Sequence, residues 1–123
     1  PYNIFNREIE NKGFIKLIEK HKIEIHVRSI FLKGLLSKKE LNVKKLYRLK
    51  KNFLKWFEWC KNNNIQPYEA CYLFAHKNKN INKIVVSFDN MQQLEEILKI
   101  RIRKLRFPDL RPRNKDILNP STW

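Results

Sequence analysis

Glycine is nearly missing from this chain. Gly13 and Gly34 are the only two in 123 residues, where average usage would give about nine. Asparagine, at 14 residues, takes over the punctuation, and the clusters at 62–64 and 78–82 read as loops. Cysteine is as scarce: Cys60 and Cys71 make no disulfide scaffold and have no metal-ligand spacing. A reducing, cytoplasmic compartment is therefore expected. His21, His26 and His76 do not cluster by spacing, so no metal site is expected. No apolar run approaches the ~20 residues that span a bilayer. The start, Pro1 to Phe5, lacks the basic and then apolar pattern of a signal peptide, so no membrane association is expected. Acidic residues are short too: 12 Asp and Glu face 27 Lys and Arg, a net charge of +15. Such a balance raises nucleic acid, anionic membranes or phosphorylated ligands as partners. Yet 19 of the 27 are Lys, and 14 Ile accompany the 14 Asn. AT-rich coding produces that joint rise with no binding surface behind it.

What remains is globular. Apolar residues make up 42% and charged residues 32%, enough for one domain with a core. Pro1–Phe5 reads as the end of a strand, and a helix is predicted from Asn6, a candidate N-cap, to Lys20. Ile9, Phe14, Leu17 and Ile18 would share its inner face. Ile23–Ile30 is rich in β-branched residues and reads as a strand, with Ile23, Ile25, Val27 and Ser29 on one side. Residues 31–45 form a loop. An amphipathic helix follows over Val43–Asn62, with Leu46, Leu49, Phe53, Trp56, Phe57 and Cys60 as its stripe. A further helix starts near Pro67 and carries Ala70, Cys71, Phe74 and Ala75. Ile84–Phe88 is a short strand, and Asp89 or Asn90 caps the helix after it. Leu94, Ile97, Leu98, Ile102 and Leu105 would form that helix's inner face. Residues 108–123, with Pro108, Pro112 and Pro120, form an irregular tail to a domain of residues 1–107.

Strands alternating with helices imply an α/β fold with parallel strands. Three such strands do not close and leave two open edges. The pattern belongs to a larger sheet or barrel.

Several stretches are familiar. Tyr2 to Arg7 looks like a YNxxxR motif, and His26–Leu36 (HVRSIFLKGLL) looks like SPLxxGLL. Pro67–Ala75 (PYEACYLFA), Val85–Leu98 (VVSFDNMQQLEEIL) and the ending ILNPSTW follow in order. Together they resemble the C-terminal part of the aldo/keto reductase family, strands six to eight of a TIM-type (β/α)8 barrel. The resemblance implies an oxidoreductase passing hydride between NADP or NAD and a carbonyl substrate. It also implies that this chain is a fragment. The family's catalytic Asp, Tyr, Lys and His lie on earlier strands, so no catalytic residue is expected here. Three positions depart from the pattern: Arg28 replaces an aromatic residue that stacks on nicotinamide, Ser87 a glycine, and Ile97 an asparagine.

Two turns carry the candidate site. At the strand-eight turn, free N–H groups and a helix dipole favour an anion. The resemblance gives Ser87, Phe88, Asn90, Gln93 and Glu96 to the adenosine end of the cofactor; without it, the turn is an ordinary capped helix. In the strand-seven loop, Ser29, Phe31, Lys33 and Gly34 would cover the pyrophosphate; without it, this is a loop with a surface lysine. Arg28 can stack on a flat ring or pair a phosphate, or simply end a strand in solvent. Residues 87–96 contain no Lys or Arg, so weaker NADP discrimination than the family norm is expected. Trp56, Phe57 and Trp59 could stack on bases, but their spacing suits a core. The alternative function is a basic nucleic-acid-binding module, and a third is a remnant acting as an interaction protein. A steep loss of binding with salt would mark the nucleic-acid case. A homo-oligomer or a missing N-terminal half would complete the barrel.

Overall fold

In the computed structural model the described residues are 1–38, 44–114 and 118. Among them the elements are α1 (Lys12–His21), β1 (His26–Val27), α2 (Lys50–Asn62), α3 (Pro67–His76), β2 (Lys83–Ile84) and α4 (Met91–Leu98). Two 3-10 turns, Glu8–Glu10 and Lys44–Leu49, precede α1 and α2. The fold is α/β, with one parallel strand pair in the register His26 to Lys83 and Val27 to Ile84. Helices α2 and α3 make the crossover between the two strands.

The strands are shorter than predicted. Ser29 takes φ 60°, a left-handed conformation that ends extension two residues after Val27. The ladder is lengthened by single bonds: Val85 N–H donates to Val27 C=O at 2.7 Å, and Asn82 N–H to Ile25 C=O at 2.9 Å. Ile23 is half-exposed rather than inward. Pro1–Phe5 bends instead of forming a strand, yet it lies beside β1, where Tyr2 N–H donates to Arg28 C=O at 3.0 Å.

Helix boundaries move for reasons of capping. Helix α1 begins at Lys12 because Asn11, not Asn6, accepts the Gly13 N–H. Asn6 instead accepts from Glu8 N–H at the head of the first 3-10 turn. Phe14 and Leu17, expected inside, are more than two-fifths exposed, and only Ile18 of α1 is buried. Val43 and residues 39–42 lie outside the described residues, as do the side chain of Leu46 and most of the ILNPSTW ending. Leu98 and Ile102 are not on an inner face: both are over half exposed, and Ile102 lies beyond the end of α4 at Leu98.

The core forms where α2 and α3 meet the strand ends. Leu49, Phe53, Trp56 and Cys60 of the α2 stripe are buried with Ala70, Cys71, Phe74 and Ala75 of α3. Tyr2 stacks on Phe74 at 5.1 Å, and Phe5 meets Phe53 edge-on at 4.9 Å. The chain after α4 has no helix or strand through Asn114 but packs back. Phe107 touches Trp59 at 4.9 Å and Phe74 at 5.3 Å, while Leu110 and Leu118 are buried.

Candidate functional site

The loop after β1 is built around left-handed backbone. Leu32, Lys33 and Gly34 follow Ser29 with φ of 48°, 54° and 81°. Each non-glycine residue in that region costs about 1 kcal/mol or more. Burial offsets the cost: Ile30, Leu32 and Leu36 are almost fully enclosed. Trp56 Nε1–H donates to Leu36 C=O at 2.9 Å, which fastens the loop to α2. Asn3 fastens the other end, its amide donating to Ser29 C=O at 3.1 Å. At Gly34 a Cβ would meet only Lys38 Cε at 3.8 Å, so backbone conformation, not space, calls for glycine there.

This loop and the residues after β2 enclose a cavity of about 650 Å³. It opens at the carboxyl ends of both parallel strands, where ligands of α/β folds bind. Arg28, Ser29, Phe31, Lys33 and Gly34 line one wall, and Ser87, Gln93 and Glu96 the other. Eight of the ten sequence-predicted site residues thus meet, from segments far apart in the chain. The walls differ in charge: Arg28, Lys33 and Lys38 oppose Asp89 and Glu96.

Asn90 and Phe88 do not line this cavity. Asn90 is spent on α4 itself, accepting Gln93 N–H at 3.0 Å, while Gln93 Oε1 accepts Asp89 N–H at 2.9 Å. That reciprocal cap satisfies N–H groups that a ligand could otherwise use. Phe88 is about two-fifths exposed, outside the cavity. Sequence reasoning missed Ser37, Lys38 and Tyr68. Ser37 and Lys38 stay with the loop because both N–H groups bond Gly34 C=O, a hydrogen-bonded turn that Gly34 itself signals. Tyr68, on the first turn of α3, carried no signal. Its hydroxyl titrates above the usual value, first through burial and then through the carboxylates of Glu96 and Glu69.

A second cavity, of about 670 Å³, lies against residues 1–11 and shares Arg28 and Ser29 with the first. Arg7 and Glu10 of its lining belong to a network that continues through Tyr2 and Asn78, which do not line it. Tyr2 donates to Glu10 at 2.6 Å, Arg7 pairs the other Glu10 oxygen at 2.7 Å, and Asn78 donates to the Tyr2 hydroxyl at 3.3 Å. Burial, then the bond to Glu10, holds Tyr2 protonated well above the ordinary tyrosine range.

Trp56 is fully buried, Trp59 lies between Trp56 and Phe107, and the partly buried Phe57 packs on Phe53, so this aromatic group serves the core. Among the described residues no three His, Cys, Asp or Glu side chains gather to hold a metal. No helix among them is long and apolar enough to cross a membrane.

Fold and cavity together define an α/β protein with its cleft at the ends of parallel strands. The family model described as "Aldo/keto reductase family" matches residues 1–109, and the chain belongs to that family. A search of curated proteins gives no match.

Proposed function

We propose that this chain is the C-terminal portion of an aldo/keto reductase barrel and that its first cavity holds part of NADP or NAD. One observation carries the reading: two loops distant in sequence line one cavity at the strand ends, cations on one wall and carboxylates on the other. The size is in the range of cofactor sites, and the groups suit a dinucleotide. Lys33 would face the diphosphate, with the backbone at Gly34 able to approach it closely, and Arg28, on the edge this cavity shares with the second, would lie beside the ring that the family's aromatic covers. Asp89 and Glu96 would accept from ribose hydroxyls. The cofactor, when bound, supplies the hydride that reduces a carbonyl. The proton-transferring Asp, Tyr, Lys and His of the family belong to earlier strands. This chain would therefore bind and orient, and barrel segments outside it would move the proton.

Two measurements test this. Titrating NADPH and NADH into the protein, followed by tryptophan fluorescence, should give saturable binding of both with a ratio below about a hundredfold. A carboxylate beside a 2′-phosphate costs ~1 kcal/mol or more at about 4 Å even in high dielectric. No binding of either cofactor would end the reading. The chain alone should also show no oxidation of NADPH with aldehydes, and turnover abolished by a substitution within it would contradict the division of labour.

A further inference from the structure

The second cavity has no role in that reading, and its charge is unevenly matched. Three arginines line it: Arg7, Arg28 and Arg111. Arg7 is held by Glu10 at 2.7 Å. Arg111 is held by Asp109, with Nε 2.9 Å from one carboxylate oxygen. Arg28 meets no carboxylate among the described residues; its guanidinium donates only to its neighbour Ser29 Oγ, at 3.2 Å. Glu8, also on this wall, has an interaction of its own. The backbone at Arg28 is nonetheless fixed, while its side chain reaches towards solvent. Its C=O accepts from Tyr2 N–H, and the next carbonyl accepts from buried Asn3. A guanidinium fork anchored at its base and unmatched at its tip suits a bidentate carboxylate. Because Arg28 stands on the wall common to both cavities, a ligand held by it would reach towards the first.

We propose that the second cavity takes the carboxylate of a small oxo acid and that Arg28 holds it. That this oxo acid is the carbonyl substrate rests on the cofactor reading of the first cavity; that a carboxylate binds does not. The test is calorimetric titration of the 123-residue chain with levulinate, with its uncharged primary amide, and with inorganic phosphate. Levulinate should bind, and the amide at least about tenfold more weakly, as expected for a hydrogen bond to a charged group. Arg28→Gln should lose about tenfold or more for levulinate, and Arg28→Lys should lose part of that, because an ammonium lacks the fork. Arg101→Gln, at an exposed cation outside both cavities, should stay within about threefold. Circular dichroism checks each variant's fold; should Arg28→Gln melt, the lysine variant and the amide decide. Unchanged affinity in the Arg28 variants, equal binding of the amide, tighter binding of phosphate than of levulinate, or no binding of levulinate would each overturn the proposal. Cofactor titration of the same samples separates the two ideas: levulinate bound without NADPH or NADH removes the cofactor reading alone, and the reverse removes this one alone.

Discussion

Burial governs the two cysteines in different degrees but to the same end. Cys60 has only desolvation acting on its thiol, which is pushed up to about 12. Cys71 is also held well above the ordinary value, first by burial and then by the nearby Cys60, and its thiol donates to Leu36 C=O at 3.8 Å. A raised acid means that the folded state prefers the neutral thiol. The Cys60 contribution to stability is thus complete below the unfolded value of 9.0 and drains away as pH climbs towards about 12. Since the thiolate is the reactive form, neither cysteine should react with iodoacetamide at neutral pH until the chain unfolds. Labelling in urea should be fast, and labelling of the native protein at the rate of a free cysteine would contradict the packing. The sequence placed both residues on inner helix faces. It could not place Tyr68, because a tyrosine beside a helix start has no pattern that distinguishes a cavity wall from solvent.

At the scale of elements, asparagine does the work that glycine and serine do elsewhere. Helix α2 ends with Asn64 at φ 47°, and Ile65 N–H reaches back to Cys60 C=O at 3.1 Å. This is a left-handed helix stop with asparagine in the glycine position. Helices α1 and α4 start on the side chains of Asn11 and Asn90. Asn64→Gly should stabilise the protein by about 0.5 kcal/mol, since glycine enters that region without a Cβ clash. Asn90→Ala should cost about 1 kcal/mol of cap energy. Urea unfolding measures both, and a stabilising Asn90→Ala would refute the assigned cap. The stop of α2 and the start of α4 were legible because they are local, whereas the start of α1 was read too early, at Asn6 instead of Asn11. The buried faces of α2 and α3 were legible too, since their period is set by their own sequence. Strand length was not legible. IEIHVRSI reads as eight extended residues, but the left-handed turn at Ser29 is imposed by tertiary packing, with Ile30 and Leu36 drawn into the core. The inner face read on to Ile102 failed for the reverse reason: the apolar spacing continues after the helix has stopped at Leu98, which is itself exposed.

At the scale of the whole molecule, the proposed barrel fragment should expose more surface than a closed domain of its mass. Its accessible surface is 9115 Å², whereas size scaling gives about 7,100 Å² for a folded monomer of its mass, 15.1 kDa. The excess, roughly 2,000 Å², is on the scale of a stable protein interface. Its chemistry matches: Phe14, Leu17, Ile23, Val85, Phe88, Met91, Leu98 and Ile102 are all at least two-fifths exposed. The strand pair bears on the same proposal. A two-stranded sheet is marginal alone, and among the described residues β2 has β1 on one edge and no strand on the other. Within an eight-stranded barrel both deficits would vanish, since closure leaves no edges. In isolation the chain should associate. Repulsion from the +15 net charge opposes this, but salt screens it within ~8–10 Å. Association should therefore strengthen as salt rises, opposite to nucleic-acid binding, which weakens. Light scattering at low and high salt, with a melting curve at each, measures the effect. The expected result is a mass above 15.1 kDa that grows with salt. A monodisperse, cooperatively melting monomer at both concentrations would show that the open edge and apolar surface are tolerated, and the barrel-fragment reading would lose its main physical support.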